Sequence, residues 1–298
     1  MSTLDQSSVG LTLRRPDGRT LGYAEFGAPS GTPVVSVHGY GDSRLTRHPD
    51  DFLAANLGVR LITFDRPGIG LSDYRAARSV LDWADDVAIL ADHLGLSRFA
   101  VLGWSGGGPH ALACAYRFPD RLTAVGVVAG FAPFDRPRAA DGMREDMRKF
   151  LPILRRLPWL SRLLTSSLPR DYRKDPAAAF EKQFGHGLPE ADRQALEEPS
   201  IRANLLAGAV EAVRQGSRGL ATDMQLFLAR PWGFRPEEIR TAVHLWYGDA
   251  DTLVPLQMGQ YLAQTIPSSH LTVCPGEGHM IFYRHWADIV GTLAAAGR

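Results

Sequence analysis

Over roughly the first 130 residues, short apolar runs of strand length alternate with stretches of helical period; the rhythm then stops for about a hundred residues and returns near the end. Residues 11–14 and 20–26 read as strands joined by Pro16-Asp17-Gly18, a strong turn signal. Residues 33–38 are a short buried strand ending in His38-Gly39-Tyr40-Gly41, residues 50–57 a helix, and residues 59–64 another apolar strand. A glycine-punctuated loop, Asp65 to Asp73, leads to a helix over 80–94. Its expected apolar side is Leu81, Ala84, Ala88 and Leu94, and Gly95 stops it. A strand over 99–102, a helix over 110–118 and a strand over 123–129 complete this half. Such alternation calls for an α/β fold, a mostly parallel sheet flanked by helices.

From Phe131 to about Arg235 no convincing strand is visible, prolines recur, and the helix-capable pieces are 143–156, 176–184, 189–196 and 201–215. Alternation resumes with a strand over 242–247, a helix over 256–264, a strand over 270–274 and a final helix over 284–295. The economical reading is a core of residues 1–130 and 236–298, with a helical cap, 131–235, inserted after the sixth core strand. Within the insert, Met147, Phe150, Leu151, Leu154, Leu157, Leu160 and Leu164 are interleaved with Arg148, Lys149, Arg155, Arg156 and Arg162. A membrane-surface helix has that pattern. So does a cap with an apolar underside and a charged upper face, and Pro152 and Pro158 favour the cap by breaking the stretch into short, angled helices.

Composition narrows the possibilities. The chain has 298 residues, 45% apolar and 22% charged, enough to bury a large core. A formal charge of +1 gives no reason to expect nucleic acid as a partner. The insert carries 18 Lys or Arg against 13 Asp or Glu, so the remainder is net acidic. Two cysteines, Cys114 and Cys274, make no disulfide framework and suggest a reducing compartment. Residues 1–10 are a polar, loose leader without a signal pattern, and no run nears the roughly 20 apolar residues that span a bilayer. A cytoplasmic protein with no stable membrane insertion, monomeric or homodimeric, is the expectation.

The stretch Val101-Leu-Gly-Trp-Ser-Gly-Gly-Gly-Pro109 carries the candidate chemistry. It is strand, Gly103-x-Ser105-x-Gly107, helix: the setting in which the motif marks a nucleophile elbow. So sharp a turn strains the serine backbone, and side chains two residues either side would collide. The amides of Gly106 and Gly107 open the new helix, whose positive end favours an oxyanion. A serine hydroxyl needs a base, and the base needs a third group to fix its tautomer. Two loops after predicted strands supply candidates: Gly248-Asp-Ala-Asp-Thr-Leu-Val-Pro255, with Asp249 and Asp251, and Pro275-Gly-Glu-Gly-His-Met280, with His279.

In order, His38-Gly39, Asp65-Arg66-Pro67-Gly68, Gly103-Trp104-Ser105-Gly106-Gly107, Gly248-x-x-Asp251-x-x-Val254-Pro255 and Gly278-His279 make the chain resemble the cap-bearing serine hydrolases of the α/β-hydrolase superfamily. The resemblance implies the α/β-hydrolase fold, Ser105 as nucleophile, His279 as base, Asp251 as orienting acid, and an oxyanion hole from the N–H groups of Tyr40 and Gly106. Asp249, or Asp135 after the sixth strand, is the alternative acid. His38, Asp65 and Arg66 are expected to brace loops. Tyr40 and Trp104 flank the reacting centre and, with Phe150 and Leu154 of the insert, are candidate pocket walls. The resemblance implies no cofactor or metal, and a small-molecule substrate, a carboxylic ester first. C–C bond, amide or thioester hydrolysis and cofactor-free perhydrolysis are alternatives on the same triad, and a slow-turnover small-molecule sensor is the alternative outside enzymes.

Overall fold

Apolar runs too continuous to face water on either side belong in the middle of a helix-covered parallel sheet, and the central runs lie there. The computed structural model describes residues 6–136 and 138–297. Among them the sheet has eight strands: β1 (Leu11–Arg14), β2 (Thr20–Gly27), β3 (Thr32–Val37), β4 (Val59–Phe64), β5 (Phe99–Trp104), β6 (Leu122–Val128), β7 (Val243–Gly248) and β8 (Ser269–Cys274). They are ordered β1-β2-β4-β3-β5-β6-β7-β8. β2 runs antiparallel to β1 and β4, while β4 through β8 are parallel. Every residue of β5 is buried. Phe99 and Val101 join the apolar layer on one face, Ala100, Leu102 and Trp104 the layer on the other.

The helices before the insert are α1 (Gln6–Val9), α2 (Asp51–Asn56), α3 (Val80–His93) and α4 (Gly108–Arg117). Between β6 and β7 the described residues contain helices and no strand: α5 (Glu145–Arg156), α6 (Leu160–Thr165), α7 (Leu168–Lys174), α8 (Pro176–Phe184), α9 (Glu190–Glu197), α10 (Pro199–Ala212) and α11 (Arg218–Leu228). The chain finishes with α12 (Leu256–Thr265), α13 (Ile281–Arg284) and α14 (Trp286–Ala295). Of the expected loose leader, residues 1–5 lie outside the described residues and α1 occupies the next four. No described helix is long and apolar enough to cross a membrane.

Several expectations are corrected. α3 buries Val80, Trp83, Ala84, Val87, Leu90 and Ala91, a face rotated from the expected one, because the bulky indole of Trp83 packs against Phe64 and takes the helix with it. Pro152 does not break its helix: α5 runs through it to Arg156, and Pro158 follows the true end. The ring lies on the exposed side and Leu151 and Leu154 are buried, so packing offsets the lost hydrogen bond. α7 and α11 were not expected. In α11 the buried side includes Asp223 and Gln225, polar residues that a hydrophobicity pattern assigns to solvent.

Asp223 shows why that placement is tolerated. Its carboxylate accepts from Arg66 Nε at 2.8 Å and from the Arg78 guanidinium, and all three residues are buried. Burial pushes its pKa up, but the two arginines together outweigh that and hold it well below the usual carboxylate range. A helix of the insert is thereby tied to both ends of the loop between β4 and α3. Removing the shared carboxylate strands two buried cations, so Asp223→Ala is expected to lower unfolding free energy by about 3–5 kcal/mol, read from urea denaturation. A loss below about 1 kcal/mol, the level of an exposed ion pair, would show that the link contributes little.

Candidate active site

The turn after β5 is as crowded as its glycines demand. Ser105 sits at φ +54°, in the left-handed region that side-chain-bearing residues seldom adopt. A Cβ on Gly103 would come 2.5 Å from the Gly107 carbonyl oxygen, and one on Gly107 would overlap the Val37 carbonyl. Ser105–Gly107 forms a single 3-10 turn that feeds directly into α4. The result is a serine held at the carboxyl edge of the sheet by strand, turn and helix together.

Two further loops arrive at the same edge. After β7, Asp251 folds its Oδ1 back to accept from the amides of Leu253 (2.8 Å) and Val254 (2.9 Å). That leaves Oδ2 pointing at the imidazole, 2.8 Å from His279 Nδ1. His279 Nε2 lies 2.9 Å from Ser105 Oγ. A carboxylate facing Nδ1 favours the tautomer with its proton there, which leaves Nε2 as an acceptor for the serine hydroxyl. Burial alone would lower the His279 pKa, but the Asp251 carboxylate, with a smaller push from Asp192, raises it above the ordinary imidazole value.

The alternatives lie elsewhere. Asp249 is exposed and its Oδ1 accepts from Gly276 N at 2.7 Å, bracing one turn against another. Asp135 is exposed on the segment after β6. His38 is buried, with Nδ1 2.9 Å from its neighbour's carbonyl (Gly39 O) and Nε2 accepting from Arg66 N at 3.3 Å. Arg66 in turn donates to the carbonyls of His38 and Gly39, and Asp65 accepts from the amides of Arg44 and Leu71. These bonds hold the loop that brings the Tyr40 amide alongside Gly106, where a Cβ would come 3.2 Å from Tyr40 N.

Ser105 and His279 open onto a cavity of about 260 Å³ lined mostly by apolar side chains, aromatic, sulfur-bearing and aliphatic. Tyr40 and Trp104 contribute from the sheet edge, Met147 and Phe150 from α5, Phe180 and Phe184 from α8, and Met224 and Phe227 from α11. Leu154, expected as a wall, is not one: it is fully buried in the apolar layer, because it follows Phe150 by one turn and points deeper into the packing. Trp104 also supports the imidazole, with its indole donating to the His279 carbonyl at 3.2 Å and stacking on Phe282. No three described His, Cys, Asp or Glu side chains are grouped so as to hold a metal ion.

The comparisons with known proteins agree with this architecture. A family model for the alpha/beta hydrolase fold matches residues 32–285. The chain belongs to the α/β-hydrolase family. It is an enzyme of that fold, and its curated relatives include named esterases and hydrolases. It is 29% identical over 267 residues to the pimeloyl-[acyl-carrier protein] methyl ester esterase of Chromobacterium violaceum, covering 89% of this α/β-hydrolase and 93% of the relative. It is 26% identical over 260 residues to a 2-hydroxy-6-oxononadienedioate/2-hydroxy-6-oxononatrienedioate hydrolase of Burkholderia vietnamiensis, covering 85% and 82%. It spans only 63% of the Pseudomonas putida dihydrolipoyllysine-residue acetyltransferase component of the acetoin cleaving system, at 29% identity over 273 residues and 89% of this chain. Among solved structures, a Rhodococcus esterase superposes with a TM-score of 0.71 at 21% identity over 96% of this chain and 98% of that one.

Two polar residues near the site had no sequence signal: Asp223, which steadies Arg66, and Asp192 of α9, which accepts from the amides of His279 and Met280. Each lies on the insert, far along the chain from its partners. Replacing Asp251 by Asn should reduce turnover of a model ester by about 10⁴, the loss measured in a well-studied triad when the orienting carboxylate becomes an amide. Asp249→Asn should reduce it less than about tenfold, since its bond goes to the backbone of Gly276 and not to the imidazole. Steady-state kinetics of the pair decides, and the reverse ranking would transfer the orienting role to Asp249.

Proposed function

We propose that the protein is a serine hydrolase that acts by acyl transfer on small to medium carboxylic esters with an apolar acyl part. The observation that carries the reading is the unbroken chain from Asp251 through His279 to Ser105, with contacts of 2.8 and 2.9 Å. As Ser105 Oγ attacks the ester carbonyl, its proton passes to His279 Nε2, and Asp251 steadies the imidazolium. The amides of Tyr40 and Gly106 serve as the oxyanion hole; losing one such donor typically lowers the rate about 10²–10³-fold. The imidazolium then protonates the departing alkoxide. Water repeats the sequence on the acyl-enzyme, returning the acid and free serine. The cycle needs no cofactor.

In this reading the helices of residues 131–235 act as a lid. The apolar walls from α5, α8 and α11 support an apolar acyl group, since burying each methylene is worth about 0.8 kcal/mol. A relative named as a methyl ester esterase supports the ester reading, another is named as a hydrolase of an oxo-dienedioate, and ester hydrolysis and C–C cleavage on the same triad are the two to separate. A panel of ester, thioester, amide and diketone substrates does so. Steady ester turnover also separates an enzyme from a sensor that binds a small molecule with negligible turnover.

A fluorophosphonate probe is expected to label Ser105 alone, as mass spectrometry of the digest reads; labelling elsewhere, or none in folded protein, would sink the nucleophile assignment. The reaction requires neutral His279, so its rate rises with pH as the imidazolium loses its proton. Because the His279 pKa is raised, the midpoint of that rise should lie above the ordinary imidazole value of 6.5. Phe150→Ala should enlarge the acyl side and move the preferred p-nitrophenyl ester to a longer chain. An unchanged chain-length profile would remove Phe150 from the acyl wall.

A further inference from the structure

Asp192 is an acid in the first turn of α9. An acid there ordinarily serves the free N–H groups of its own helix. This one is turned the other way. Its side chain is buried, with the residue only 1% exposed, and its two oxygens are divided between two amides of the loop after β8: Oδ2 accepts from His279 N at 2.9 Å and Oδ1 from Met280 N at 2.7 Å. The fit leaves no slack. A Cβ on Gly278 would overlap all three atoms of the carboxylate group, so glycine is what allows α9 to come this close. Ala195 and Leu196 of the same helix, and Met280 and Ile281 of the loop, are buried in one apolar layer beside it.

The consequence follows from the placement of the imidazole. His279 must reach Asp251 on one side and Ser105 on the other, 2.8 and 2.9 Å away. Its backbone is held by the Trp104 indole at the carbonyl and by Asp192 at the amide. The second hold comes from the insert, not from the sheet. Were α9 to lift away, the amides of His279 and Met280 would lose their acceptor in a site that is otherwise buried.

We infer that Asp192 is a positioning residue for the reaction: from the helical insert it fixes the backbone of His279, so the imidazole is aimed at Ser105 while α9 is seated. This rests on the triad reading above. It makes the insert part of the catalytic scaffold as well as a wall of the pocket. The charged groups acting on the imidazole are Asp251, which faces Nδ1 from the β7 loop, and Asp192 of α9, which sits at the His279 backbone; the Ser105 hydroxyl faces Nε2. Both carboxylates favour the imidazolium, so neutralising Asp192 moves the His279 pKa down.

The test is the rate at which the full chain reacts with a fluorophosphonate, followed across pH, which needs no knowledge of the natural substrate. Asp192→Asn keeps the shape and one acceptor but loses the charge. Its labelling should slow about tenfold, the size expected for weakening a charge-assisted hydrogen bond, and its pH midpoint should move down. Gly278→Ala leaves the carboxylate charged but displaces it; labelling should slow by a similar factor, and the double variant should be no slower than the slower single one, as expected for residues sharing one interaction. Asp192→Glu, restoring charge and acceptors, should recover part of the rate of Asp192→Asn. A purely structural role would lower the melting temperature yet leave the rate per folded molecule and the midpoint unchanged, and that result in the Asn variant overturns the proposal. If Asp192→Asn does not fold, Gly278→Ala decides alone: parent rate overturns, slowed labelling supports. Failure of the parent to label at Ser105 would overturn the triad reading and this inference together, whereas a labelled parent beside an unaffected variant overturns only the positioning role.

Discussion

Everything at this site depends on one crowded turn. Between β5 and α4 the backbone must reverse from strand to helix so tightly that Ser105 is left at φ +54°, a conformation that costs about 1–3 kcal/mol in a residue with a side chain. What holds it there is the packing on either side: the buried strand Phe99–Trp104, paired with β3 and β6, and the buried first turns of α4. A loose strand or a frayed helix would let the serine relax. The rigid sheet interior is therefore what makes a strained, outward-facing hydroxyl possible.

The other members of the site are positioned by weaker local rules and stronger long-range ones. Asp251 is aimed by its own loop, because accepting from Leu253 and Val254 leaves one oxygen free toward His279. Arg66 is aimed by the buried carboxylate of Asp223, and in turn grips the carbonyls of His38 and Gly39. A buried ion pair of this kind adds no net stability over apolar packing of the same volume, but losing one partner is costly, and that cost disfavours arrangements that separate the charges. Here the arrangement selected is the one that brings Tyr40 to Gly106.

The insert differs from a detachable cover in this respect. Its helices α5, α8 and α11 supply about half of the apolar wall, α11 carries the carboxylate that pairs with Arg66 and Arg78, and α9 carries the one that accepts from His279. Pocket shape, loop order and imidazole placement thus share the same helices. A change that loosens the insert should register in chemistry as well as in substrate choice.

The residues of the sequence determined by themselves whatever depends on neighbours along the chain. Gly103 and Gly107 around Ser105 and the apolar runs at strand spacing obey steric rules that operate over a few positions, so the strands and the elbow were legible, whereas Asp251 and His279 were singled out by resemblance to the α/β-hydrolases. Tertiary structure alone decided the rest. The face α3 buries was set by Trp83 against Phe64, Pro152 was carried through α5 by buried neighbours, and Leu154 went to the core while Phe150 reached the cavity. Asp192 and Asp223 look like solvent-facing acids in sequence, yet their partners lie 87 and 157 positions away. A buried charge is tolerated only where another part of the fold brings it donors, and no local pattern records where those donors will be.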